Sequence, residues 1–91
     1  MSSENRKITR RQIIAARDLL GIEQAELAES VGMFPNSLSR VESGRVKPRQ
    51  ATLDRIVKEL ERRGIEFING RGVILKKPGQ ESPIELETAG E

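Results

Sequence analysis

A mainly helical domain, four to five helices closed by a C-terminal β-hairpin, is the fold class that this 91-residue chain predicts. Three observations carry it. Four segments between Thr9 and Arg63 place apolar residues at helical spacing, and each runs into a glycine. The period then becomes extended, with "IEFI" and "GVILKK" flanking Asn69-Gly70, the strongest short-range hairpin signal. Aromatic residues are limited to Phe34 and Phe67, so the core must be Leu, Ile, Val and Ala, which suits one small domain.

Residues 1–7 are polar and expected to fray. The helical domain proper is assigned to residues 8–63. Thr9 can cap a first helix, "RRQIIAARDLL", whose Ile13, Ala16, Arg17 and Leu20 share one face and which ends at Gly21. A second helix, "QAELAESV", aligns Gln24, Leu27, Ala28 and Val31, and Gly32 follows it. Pro35 suits the first position of a third helix, where its missing N–H would be unpaired anyway. That helix should run to about Ser43 and stop at Gly44, with Leu38 and Val41 as its buried candidates. After the basic connection "GRVKPR", a fourth helix is expected from about Gln50 to Arg63, with Leu53, Ile56, Val57 and Leu60 inward and Gly64 as terminator. Residues 64–77 form the hairpin. Residues 78–91, "PGQESPIELETAGE", read as a disordered acidic tail.

The net charge of +2 hides a segregation. Residues 1–77 carry 16 basic against 10 acidic side chains, a net +6, whereas residues 78–91 carry four glutamates and no basic residue. A basic body suggests a polyanionic partner. The chain holds neither cysteine nor histidine, which removes disulfides, thiolate chemistry, most zinc sites and the commonest general base. No Gly-rich phosphate loop occurs. An enzyme is therefore not expected, and no cofactor or metal is expected. No apolar run reaches the roughly 20 residues that cross a bilayer, and no signal peptide opens the chain, so no membrane partner and a cytoplasmic location are expected.

The third helix is the informative one. Two short helices joined by a tight glycine-containing turn form a helix-turn-helix unit. Its second member leaves Pro35, Asn36, Ser39 and Arg40 on the outer face. Asn pairs with the adenine edge, Arg with guanine, and Ser with either, so such a face suits a DNA major groove.

The stretch "EQAELAESVGMFPNSLSRVESGRVKP" resembles the lambda repressor/Cro-type, or Xre-like, helix-turn-helix regulators. The matching residues are Gln24, Glu26-Leu27-Ala28, Val31-Gly32, Leu38, Val41-Glu42, Gly44 and Pro48, and the resemblance covers roughly residues 8–62. The stretch "LERRGIEFINGRGVILKK" also looks like the end of small bacterial and phage members. The resemblance implies base contacts by Asn36, Ser39 and Arg40, with Gln24 against a DNA phosphate and Ser37, Arg45 and Lys47 at the backbone. Two positions depart from the family pattern. Glu23 stands where Ser or Thr commonly caps the second helix, and Phe34 stands where a polar residue usually opens the third. Phe34 is expected to pack as an apolar staple across the turn. Arg62 and Arg63 are expected to complement the C-terminal end of the fourth helix, and Lys76-Lys77 to solubilise a strand end.

Arg17 and Glu42 are charged residues on otherwise apolar faces, and an ion pair between them is expected; the resemblance implies the same pair. In the hairpin, Ile65, Phe67, Val73 and Leu75 share one face and Ile68 and Ile74 the other. Four helices of this length are not expected to cover both faces, so these six residues are assigned to a homodimer contact. The function implied is a sequence-specific, repressor-like regulator that reads a pseudo-palindromic double-stranded DNA operator through residues 35–43. The alternative is the antitoxin of a toxin–antitoxin pair, whose toxin would be met by the C-terminal tail.

Overall fold

The computed structural model describes residues 7–76. In chain order these form α1 (Arg10–Leu20), α2 (Gln24–Ser30), α3 (Pro35–Glu42), α4 (Gln50–Arg62), β1 (Ile65–Ile68) and β2 (Gly72–Leu75). The fold class is the expected one, and helix ends fall within about one residue of the sequence reading. The acidic tail and Lys77 lie outside the described residues.

α1 starts on a reciprocal cap. Thr9 Oγ1 accepts from the Gln12 backbone N–H, and the Gln12 side chain accepts from the Thr9 backbone N–H. Its C-terminal end is closed by Gly21 in the left-handed region. Ile13 and Ala16 from α1, Leu27, Ala28 and Val31 from the α2 region, Leu38 from α3, and Ile56, Val57 and Leu60 from α4 meet in one buried cluster. At about 25 cal/mol per Å² of apolar surface, this shared burial holds together helices too short to persist alone.

The hairpin completes that core. β1 and β2 pair antiparallel with Ile65 opposite Leu75, Glu66 opposite Ile74, Phe67 opposite Val73 and Ile68 opposite Gly72. The turn is not type I′, because Asn69 keeps negative φ while Gly70 takes φ +66°. Ile65 and Phe67 are buried, and Val73 and Leu75 pack against the same cluster. This corrects the expected dimer contact: Ile65 and Phe67 are spent inside the protomer, and Val73 and Leu75 lie half-buried beside them. The helices do cover one hairpin face. Only Ile68 and Ile74 of the six remain exposed, on the opposite face.

Two further ties hold the hairpin to the chain's beginning. The buried Gln12 amide donates to Ile68 O at 2.7 Å and to Gly72 O at 2.8 Å. Gly70 N–H donates to Lys7 O, and Lys7 N–H donates to the Asn69 side chain. Lys7, expected to fray, is thus docked on the turn.

Candidate nucleic-acid interface

α2 and α3 are positioned by the turn between them. Val31 caps α2, Gly32 takes φ +73°, and Met33 N–H returns to Ala28 O at 2.8 Å. α3 then opens at Pro35 with Phe34 as its N-cap. Leu38, Val41 and Glu42 form its buried side. At 100° per residue, Asn36 and Arg40 lie opposite Leu38, with Ser37 and Ser39 on the two flanks. Accordingly Pro35, Asn36 and Arg40 are exposed, and Ser37 and Ser39 are half-buried. Neither Asn36 nor Arg40 has a side-chain hydrogen-bond partner among the described residues.

Phe34 does not act as the staple. Its side chain is 79% exposed. As the N-cap it is extended, with φ −77° and ψ 147°, and its carbonyl accepts from Ser37 and Leu38 while the ring projects away. The position that staples a helix start is the one before the cap. Met33 occupies it, half-buried against the cluster that contains Leu38.

Glu42 anchors α3 from beneath. Its carboxylate is 4% exposed and accepts from Arg17 Nε at 2.9 Å, Arg17 Nη2 at 2.9 Å and Gln24 Nε2 at 2.8 Å. The bidentate geometry is the strong form of such a pair. The hydrogen bond to Glu42 raises the Arg17 pKa above its already high ordinary value, with burial opposing, so the guanidinium stays charged. Arg17 also donates to Ile22 O at 3.1 Å, which ties the α1–α2 connection to the same network. Gln24, expected against a phosphate, therefore has one of its two N–H donors engaged inward. Beside it, Glu23 caps α2 without any side-chain hydrogen bond, as the departure from the family pattern implies.

Arg10 and Thr52 support the site without having been singled out in the sequence. Arg10 Nη1 donates to Glu42 O at 2.9 Å, a cation on the last turn of α3. Its guanidinium lies so close to Gly44 that a Cβ there would meet Arg10 Nε at 3.0 Å, while Gly44 itself holds φ +83°. Arg49 and Thr52 join Ser37, Arg40 and Lys47 around an open groove between α3 and the start of α4. Arg45, Lys47 and Arg49 are exposed and form no ion pair among the described residues. Arg62 and Arg63 behave differently. Both pair with Glu59, and Arg63 also reaches Ser30 Oγ at 2.8 Å and Glu26, which links α4 to α2.

The arrangement is a short helix seated by Leu38 and Val41, with polar side chains outward and free cations at its end. A helix-turn-helix family model matches residues 13–67, which run from within α1 to Phe67, one residue short of the end of β1. The chain belongs to the helix-turn-helix family. It is of the lambda repressor/Cro-type, Xre-like kind, a DNA-binding regulator of transcription. No curated protein matches the sequence significantly. Among the described residues, no helix of this helix-turn-helix domain is long and apolar enough to cross a membrane.

Proposed function

We propose that the protein is a repressor-like, sequence-specific regulator, acting as a homodimer on a pseudo-palindromic double-stranded DNA operator in the cytoplasm. The observation that carries this reading is the pair Asn36 and Arg40, exposed, unpartnered and opposite the buried side of α3. Bidentate contacts of Asn to adenine and Arg to guanine are each worth about 1–3 kcal/mol of discrimination. Pro35 and Ser39 complete the base-facing set. Gln24, Ser37, Arg45 and Lys47 serve the phosphates, and Arg49 extends the same cationic rim.

One such helix reads only a few base pairs, so function asks for two. Ile68 and Ile74, neighbours on the outer hairpin face, are exposed and supply the apolar centre of a two-fold contact. The antitoxin reading would require residues 78–91 to hold a toxin, and "PIEL" gives them little apolar surface for that. In vitro selection from random duplexes tests the proposal. It should return an imperfect palindrome with half-site centres about 34 Å apart. Enrichment of a single, unpaired half-site would refute the dimeric reading.

A further inference from the structure

Phe34 is the most exposed large apolar residue among those described, at 79% against 46% for the next, Leu19. It makes no side-chain cap and leads directly into α3. The following Pro35 has no N–H, so the leading end of the helix offers an apolar ring and a ring-blocked nitrogen where the family pattern puts a polar side chain. This inference rests on the DNA-binding reading above. In a helix-turn-helix the N-terminal residues of the second helix meet base edges in the major groove. A phosphate or a hydrogen-bonding base edge gains nothing from a phenyl ring. The major groove displays one apolar group, the C5-methyl of thymine.

We propose that Phe34 is a specificity-determining residue that reads a thymine through its C5-methyl group, separately from the hydrogen-bonding readout of Asn36 and Arg40. The contact buries phenyl surface that the free protein leaves in water. It therefore adds affinity only on sites with thymine at the matching step. A cytosine there presents an amino group and no methyl, and loses the contact.

The test uses the full chain and an operator selected on unmethylated DNA, so that thymine is the sole source of the methyl. Each thymine is replaced in turn by deoxyuridine, which removes the methyl and keeps every hydrogen bond. The wild-type protein should lose about fourfold in affinity at one thymine per half-site, the worth of one buried methyl-sized group. Phe34→Ala removes the ring from both half-sites, so it should bind the thymine operator about sixteenfold more weakly and show no further loss with deoxyuridine, while Phe34→Leu keeps part of the discrimination. Because Phe34 is exposed, its variants should melt like the wild type. The proposal is overturned if no deoxyuridine replacement weakens wild-type binding, or if the penalty persists unchanged in Phe34→Ala. It is also overturned if Phe34→Ala leaves operator affinity untouched, which would assign the ring to a protein partner. Failure to select any sequence would instead overturn the DNA-binding reading, and this inference with it.

Discussion

Arg17→Met removes the cation beneath α3 and leaves the Glu42 carboxylate in place. Among the described residues Glu42 Oε2 accepts only from Arg17 Nε, while Oε1 accepts from Arg17 Nη2 and Gln24 Nε2. The variant therefore strands one oxygen without a protein donor and the other with a single neutral one, at a side chain 4% exposed. Breaking a buried pair in this way costs about 3–5 kcal/mol. For a domain of this size each kcal/mol is worth about 4–8 °C in melting temperature, so a fall of about 15–30 °C is expected. Arg55→Met is the control: Arg55 is exposed on α4, and the change should stay within about 0.5 kcal/mol. Replacing both partners, Arg17→Met with Glu42→Met, should recover part of the loss, because no buried charge remains. Thermal unfolding followed by circular dichroism reads the wild type, Arg17→Met, Glu42→Met, the double variant and Arg55→Met; the chain has no tryptophan to report by fluorescence. Equal melting temperatures for Arg17→Met and Arg55→Met, or a double variant as unstable as the sum of the singles, would refute the reasoning.

Gln12→Leu keeps the volume but strips the partners of Thr9 N–H, Ile68 O and Gly72 O, and should cost about 2–4 kcal/mol by urea unfolding. Amide exchange should then rise in the hairpin more than in α3, whereas uniform loss of protection would contradict the clamp. Glu59 is held down to about 2, first by the hydrogen bond from Arg62, then by Arg63, against the opposing effect of burial. A depressed carboxylate stabilises the fold above its unfolded pKa of about 4.5, and that contribution disappears as pH falls towards 2. Since Arg62 is exposed and screened, about 1 kcal/mol is expected, so the stability gap between wild type and Glu59→Gln should narrow from pH 6 to pH 2.5; a constant gap would argue against it. Ile74→Lys places a charge on the outer hairpin face, and sedimentation at micromolar concentration should show a dimer become a monomer with an unchanged melt, whereas a wild-type monomer would remove that face from the account.

Much of the fold was legible because local signals agreed. Thr9, the glycines at 21, 32, 44 and 64, and the change of period after Gly64 each mark a boundary that the backbone obeys. The Arg17–Glu42 pair was legible because a charge on an apolar face needs a partner, and the family resemblance implied the same pair. What escaped depends on tertiary geometry. Phe34 was read at the cap position and still given the staple's role, which belongs one residue earlier, to Met33. The alternation of the hairpin was readable, but whether α1 and α4 reach it was not, so Ile65 and Phe67 were assigned to a partner when their own core takes them. Gln12 drew no reading from the sequence, since its hairpin partners lie 56 and 60 residues away. Arg10 likewise found its place through Glu42 O and Gly44, at the end of α3 and in the loop that follows it.

The central claim is that the outer face of α3 reads sequence, and affinity of Arg40→Ala for the selected operator and for random duplex DNA tests it most directly. Arg40 is exposed and unpaired, so the fold should be untouched. The account predicts a loss of about 1–3 kcal/mol on the operator, little change on random DNA and relaxed preference at one position, with Lys47→Ala weakening both DNAs alike and reducing the salt slope by about one. Equal losses on both DNAs for Arg40→Ala would contradict it, making Arg40 a phosphate contact and leaving α3 without its reader.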